Sequence, residues 1–263
     1  MKLKIVQEDP WLEDYKEEIY QRWMRFQRAY DEIKTPDKGL KEFASGHDYF
    51  GINFDKSKHA WIYREWAPEA QALFLIGDFN NWNRTSHPLK MDEWGVWSIE
   101  LPYEVYKDNF VHKSLVKVHV ISEKGGLDRI PAYIRRVVQD ENTKDFSGQL
   151  WFPEKPFVWT DKGYRPVHDK EGLLIYECHV GMGLEEEAVG SYLDFADKIL
   201  PKIRDLGYNA IQLMAVMEHP YYGSFGYHVS SFFCPSSRFG TPEDLKYLVN
   251  KAHEIGLAVI MDV

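Results

Sequence analysis

Apolar positions change their period along this chain, and the changes divide it. Leu12, Tyr15, Ile19, Trp23, Phe26, Tyr30 and Ile33 recur at steps of three or four, with Glu13, Lys16, Glu17 and Arg22 on the other faces. That spacing predicts one amphipathic helix. Asp9-Pro10 supplies a cap and a first-turn proline, and Thr35-Pro36-Asp37-Lys38-Gly39 ends it. A stripe this aromatic is expected to dock on a neighbouring element. Beyond it the period becomes two. Trp61–Trp66, Ala72–Ile76 and Val96–Leu101 are short runs of β-formers. In Leu115–Val120, Val116, Val118 and Val120 alternate with Lys117 and His119, a strand with one wet face. Gly125-Gly126 reads as a turn and Ile134–Val138 as a further strand. Several short strands between turn signals predict a β-sandwich.

From Gly172 strand and helix alternate. Leu173–Val180 reads as a strand and Tyr192–Leu206 as a helix that Pro201 kinks or restarts and Gly207 closes. Ile211, Leu213, Ala215 and Val216 form an apolar run of the kind buried on both faces in parallel sheets. It turns abruptly into a long loop, Met217–Gly240, crowded with Tyr221, Tyr222, Phe225, Tyr227 and His228. A connection this long points to binding rather than linkage. Thr241-Pro-Glu-Asp244 starts a helix with a cap, a first-turn proline and acids at the positive end. Leu245, Leu248, Val249 and Ala252 face inward, Gly256 stops it, and Leu257–Val263 is a third strand. A βαβαβ order begins either a doubly wound sheet or a barrel. His179-Val-Gly-Met-Gly183 is at best a fragment of a dinucleotide-binding fingerprint, which disfavours that fold.

Composition narrows the chemistry. The 44% apolar share of these 263 residues supports a real core. A net charge of −9 with no basic block argues against nucleic-acid binding. No apolar run approaches the ~20 residues of a membrane span, and the N-terminus lacks a signal-peptide core. Cys178 and Cys234 are far apart without a CxxC partner, so free thiols in a reducing compartment are expected, and the chain reads as cytoplasmic. Nine Trp and sixteen Tyr suit amphipathic ligands such as sugars, against the plainer reading of ordinary packing.

Four stretches together resemble a known family: Tyr176-Glu-Cys-His-Val-Gly181, Leu206-Gly-Tyr-Asn-Ala-Ile-Gln-Leu-Met-Ala215, Glu218-His-Pro-Tyr-Tyr-Gly-Ser-Phe-Gly-Tyr-His228 and Ser236-Ser-Arg-Phe-Gly-Thr-Pro-Glu-Asp-Leu245. They look like the start of the catalytic domain of 1,4-α-glucan (glycogen) branching enzymes, eukaryotic type, in the α-amylase superfamily. Glu65-Trp-Ala-Pro68 and Gly77-Asp-Phe-Asn-Asn-Trp-Asn83 look like a family 48 carbohydrate-binding module. Met261-Asp-Val263 looks like the opening of the motif on the third barrel strand. The resemblance implies a multidomain chain: an N-terminal helical segment at 1–45, a β-sandwich module at 46–158, a linker at 159–171, and the first three strands of an incomplete (β/α)8 TIM barrel at 172–263. It implies cleavage of an α-1,4 bond and transfer of the chain to a 6-hydroxyl. The partners would be glycogen, amylose and maltooligosaccharides, with no cofactor or metal. A retaining transferase needs two carboxylates about 5 Å apart. In the family both lie on later strands, so these residues alone are expected to be inactive. The alternatives are a non-catalytic glucan-binding protein and a debranching or hydrolytic amylase.

The resemblance also assigns residues. Tyr227 would be a stacking floor for the sugar at the bond to be cut, against a loop-packing tyrosine. Asp262 would support the catalytic constellation without being the nucleophile, against a buried, paired or capping carboxylate. His228 and His219 are weaker candidates, since a lone loop histidine is more often structural. Glu177 and His179 share one side of a strand, read as polar packing in the barrel interior, and Arg238 as pairing within its loop. In the module Trp66, Trp94, Gly95 and Val96 are glucan-binding candidates, with Ala67, Pro68 and Glu93 beside them. Trp82 marks the module, and Asn80, Asn81 and Asn83 are turn-formers.

Overall fold

The computed structural model describes residues 3–34, 39–165 and 172–263, which form two compact units divided after Tyr49. In the first unit the helix Lys16–Ile33 follows a 3₁₀ turn over Pro10–Tyr15. Asp9 caps that turn, its Oδ1 accepting from the Trp11 amide at 3.0 Å. The first turn is tight rather than α-helical, starting at a proline with no amide to donate. The helix keeps its period: Ile19, Trp23, Tyr30 and Ile33 of the expected stripe are half-buried and Phe26 is exposed, with none of its residues fully buried. Its rings pair along the helix instead, Tyr20 with Trp23 and Phe26 with Tyr30. The predicted stop at Thr35, Pro36, Asp37 and Lys38 lies outside the described residues.

In the second unit the strands β1 (Gly51–Asp55), β2 (Ala60–Trp66), β3 (Ala72–Gly77), β4 (Lys90–Met91), β5 (Val96–Pro102), β6 (Leu115–Ser122), β7 (Gly125–Arg129), β8 (Val137–Gln139) and β9 (Phe146–Gln149) form two antiparallel sheets. One has the order β1-β2-β5-β4 and the other β3-β6-β9-β8, with β7 on β6. Tyr63, Leu73, Leu75, Leu101, Phe110, Val116 and Val118 meet in one core between them. Lys117 corrects the expected wet face of β6. It is buried, with its ammonium 2.6 Å from Asp145. His119 beside it lies 2.7 Å from Asp128. Both polar positions of β6 therefore meet a carboxylate rather than standing free in water. Gly125-Gly126 is not the turn either. Both belong to β7, and Gly126 lies where a Cβ would come within 2.9 Å of the His119 ring. The Asn-rich turn is as expected: Asn80 Oδ1 accepts from the Gly77 amide at 3.0 Å.

The rest of this unit holds β10 (Ile175–Cys178), β11 (Ala210–Leu213), the antiparallel pair β12 (Met217–Glu218) and β13 (Ser231–Pro235), and β14 (Ala258–Met261). β10, β11 and β14 make a three-stranded parallel sheet with β11 central. Pro201 acts as expected, with a physical detail added: a π-helical stretch at Phe195–Ile199 precedes the restart at Leu200–Asp205. The proline cannot donate to the turn before it, and the helix widens there. The expected long loop is built on the β12–β13 pair and two 3₁₀ turns, Tyr222–Ser224 and Ser237–Phe239. The helix Pro242–Glu254 opens with a capping box. The Asp244 amide donates to Thr241 Oγ1 at 3.2 Å, and the Thr241 amide to Asp244 Oδ2 at 2.8 Å. Leu248 and Ala252 join Tyr192, Phe195, Leu200, Ile211 and Phe239 in a second core.

Removing the Thr241 hydroxyl should lower stability by about 1 kcal/mol in urea unfolding of Thr241→Ala, with Thr241→Ser close to the parent. Equal loss in both variants would mean that the cap contributes nothing.

Candidate functional site

The loop between β12 and β13 is held by glycine chemistry. Gly226 has φ 93°, and a Cβ there would lie 1.8 Å from the Ala215 carbonyl oxygen. Only a residue without a side chain can take this seat. The preceding Phe225 is also left-handed, at φ 55°. The next residue, Tyr227, therefore projects to the end of β14. Its hydroxyl donates to Asp262 Oδ2 at 2.7 Å, while the Asp262 amide donates to the Leu213 carbonyl at 3.1 Å. The carboxylate bond holds the phenol in its protonated form and raises its pKa. With the hydroxyl tethered and the residue 46% exposed, the ring has a fixed position and an open surface. His228 is exposed beside Tyr221, with ring centroids 6.4 Å apart. Arg238 pairs within the loop as expected, over the Tyr222 ring and 3.4 Å from the Pro220 carbonyl.

Beneath the loop lies a polar floor that sequence reasoning did not assemble. Glu218 is fully buried. Its Oε2 accepts from the Ser237 amide at 2.8 Å, and its Oε1 from the His219 amide at 3.1 Å and the Ser236 hydroxyl at 3.4 Å. His219 is also buried, its Nδ1 donating to the Met217 carbonyl at 2.8 Å and its Nε2 without a partner among the described residues. Both ring nitrogens of His179 are buried and have no hydrogen-bond partner among the described residues, and Tyr222, Phe225 and Phe239 meet its ring nearly at right angles. Burial, with His219 nearby, lowers the His179 pKa and keeps the imidazole neutral. Glu177, read with His179 as interior packing, is exposed on the open three-stranded sheet, and its charge reaches Tyr227. The signal available for Glu218 was a Glu-His pair directly after an apolar run. Burial pushes both the Cys178 and Cys234 thiols up to about 12, which leaves them protonated and unreactive.

A second cluster lies at the end of β2. Gly95, at φ 76°, sits where a Cβ would fall 2.7 Å from Pro68. Asp92 Oδ1 accepts from the Trp94 and Val96 amides, each at 2.9 Å. The Ala67 amide donates to the Gly95 carbonyl at 3.1 Å, and Trp66 Nε1 to the Trp94 carbonyl at 3.2 Å. Trp66, Ala67, Pro68, Glu93, Trp94, Gly95 and Val96 are thus brought together as one surface feature. Trp66 is 61% and Trp94 75% exposed, while Val96 is buried beneath. Trp82 does not join them; half-buried, it donates to Asp78 Oδ1 at 3.1 Å. Among the described residues no hydrogen bond or ring contact links this cluster to Tyr227. The geometry offers two separate aromatic features with polar neighbours, an arrangement that suits the apolar faces and hydroxyls of a sugar.

Comparison with known proteins agrees with this chemistry. Residues 49–134 match the carbohydrate-binding module 48 family (isoamylase N-terminal domain), and residues 187–263 match the alpha amylase catalytic domain. The chain is 46% identical over 262 residues to the 1,4-alpha-glucan-branching enzyme of Dictyostelium discoideum, a match covering 99% of this chain and 38% of that protein. It is 44% identical over 261 residues to 1,4-alpha-glucan-branching enzyme 2-2 of Arabidopsis thaliana, covering 99% of this chain and 32% of that one. The chain thus spans 32–38% of the length of these curated relatives. The group B Streptococcus pullulanase SAP shares the fold, with a TM-score of 0.67 at 20% identity, over 81% of this chain and 33% of that one.

The buried imidazole makes stability depend on pH. A histidine whose folded pKa lies below its unfolded value of about 6.5 contributes fully above that value, and its contribution falls as the pH drops toward the folded pKa. The melting temperature should therefore decline from pH 6.5 to 5, and His179→Phe should flatten part of that decline. An unchanged slope in the variant would show that His179 does not titrate against the fold.

Proposed function

We propose, from this kinship with the 1,4-alpha-glucan-branching enzymes over nearly the whole chain, that these residues are the glucan-gripping part of such an enzyme. The reading divides the chain into a helical segment at 1–45, a sandwich module at 46–158, a linker at 159–171 and the first three strands of a (β/α)8 barrel at 172–263. The parallel β10-β11-β14 order supports the barrel, and Tyr227 and Asp262 sit beyond the C-terminal end of its strands, where such folds keep their active sites. The free, buried thiols of Cys178 and Cys234 support a reducing compartment such as the cytoplasm. No helix among the described residues is long and apolar enough to cross a membrane.

The observation that carries the reading is the Tyr227 ring, fixed through its hydroxyl on Asp262. Held in this way, it covers the C–H face of the glucosyl unit whose α-1,4 bond is cut, without losing side-chain freedom on binding. Asp262, already engaged, orients the tyrosine and is not the nucleophile. The attacking carboxylate and the acid that protonates the leaving oxygen belong to the barrel beyond these residues. In the whole enzyme they release a chain and pass it to a 6-hydroxyl. Glycogen, amylose and maltooligosaccharides are the substrates, and His228 at the loop edge contacts the bound chain. Trp66 and Trp94, with Ala67, Pro68, Glu93, Gly95 and Val96, hold the same polymer at a distance from the chemistry.

The 263 residues alone should leave the iodine colour of amylose unchanged while binding maltoheptaose. Branching turnover by these residues would overturn the placement of the carboxylates. Trp66→Ala with Trp94→Ala should weaken co-sedimentation with glycogen about tenfold, which is about 1.4 kcal/mol; unchanged retention in the folded variant would remove that surface. In a chain extended through the complete barrel, Tyr227→Ala should lower kcat/KM by a factor on the order of a hundred and Tyr227→Phe by less. Equal activity in all three would refute the stacking role.

A further inference from the structure

A groove of about 600 Å³ in the second unit shares no residue with either cluster above. Its lining includes Trp151, Trp159, Phe233, Glu243, Lys246 and Arg135. Its rings are held before any ligand arrives. Phe233 stacks on Tyr133 at 4.1 Å with 19° between the planes, leaving its other face outward, and it is 47% exposed. Trp159 is braced edge-on by Phe157 at 5.0 Å and is 48% exposed. Trp151 has the Arg136 guanidinium over its ring at 5.0 Å, and its Nε1 donates to Glu243 Oε2.

The polar groups are held as well. Lys246 Nζ lies 3.1 Å from Glu243 Oε1, and Arg135 Nη2 donates to Asn53 Oδ1 at 2.9 Å. The groove therefore presents flat apolar faces beside a carboxylate, an ammonium and a guanidinium. Such a set matches the alternating C–H faces and hydroxyl edges of a pyranose chain. An apolar peptide helix would leave three charges facing its side chains, at a desolvation cost. Ring positions fixed in advance also reduce the ordering cost of gripping a flexible polymer.

We propose that this groove is a further α-glucan-binding site, a track for a chain segment between the paired sheets and the parallel sheet. This rests on the α-glucan reading of the protein given above. The volume falls within the range of small-ligand sites, which limits occupancy to a short stretch of glucosyl units. Trp159 and Phe233 supply the stacking faces, and Glu243, Lys246 and Arg135 bond the hydroxyl edges.

The test is maltoheptaose titration of the 263-residue chain, read by calorimetry and by the tryptophan indole resonances, with Trp159→Phe assigning the Trp159 signal. The Trp66→Ala/Trp94→Ala protein should still bind, with the Trp159 indole shifting. Adding Trp159→Ala and Phe233→Ala should then weaken the remaining binding about tenfold or more. The indole readout needs no destabilising change, so misfolding of the quadruple variant would not decide the outcome. Loss of all binding in Trp66→Ala/Trp94→Ala, with Trp159 silent in the parent, would overturn the groove and leave the glucan reading intact. No binding by the parent would overturn both. Concentration-dependent self-association that Trp159→Ala abolishes, with no sugar-induced shift, would make the groove a protein contact and overturn the proposal.

Discussion

The arrangement around Tyr227 depends on one buried carboxylate. Glu218 accepts from the Ser237 amide, the His219 amide and the Ser236 hydroxyl, and its own carbonyl accepts from the Ser230 amide at 2.9 Å and the Ser230 hydroxyl at 3.1 Å. A single residue thus ties down both ends of the loop between β12 and β13. A carboxyl group taken out of water is costly unless its oxygens are occupied, and here they are. The Arg136 guanidinium adds a favourable charge from the neighbouring sheet. The loop is long, but its freedom is removed at the base, and Gly226 removes it again at the tip.

The paired sheets and the parallel sheet are joined by the same kind of accounting. Arg136 donates to the Gly240 carbonyl at 2.8 Å and to Gln149 at 3.1 Å. Gly240 immediately precedes the capping threonine of the helix Pro242–Glu254. Lower on that helix, Asn250 Oδ1 accepts from the Thr160 amide at 2.8 Å, and His253 pairs with Asp161 at 2.9 Å. The segment read as a polar linker is therefore pinned along its described part. Its polarity reflects bonds to a helix face rather than solvation, and the groove walled by Trp151 and Trp159 follows from that pinning.

The candidate site residues were named through the family resemblance, and local signals explain how some of them are placed. Trp66 and Trp94 lie on either side of a strand-to-turn pattern, and Gly95 marks a backbone position that tolerates no side chain. Tyr227 follows Gly226 in an aromatic-rich loop, and its assigned role came from the family resemblance. Lys117 was misread because alternation reports which side a residue faces and not what covers that side.

By itself, the sequence determined the periods and the helix caps. The helix at Pro242–Glu254, the interruption at Pro201 and the β-forming runs all rest on interactions within a few residues, where propensity and sterics act directly. Only the tertiary structure decided which polar groups are buried. Glu218 meets Ser237 across the β12–β13 pair, Tyr227 reaches Asp262 across 35 residues, and Arg136 reaches Gly240 across 104. Bonds of that range cost chain entropy that no local pattern records, and they form only once two hydrophobic cores have already brought the partners together.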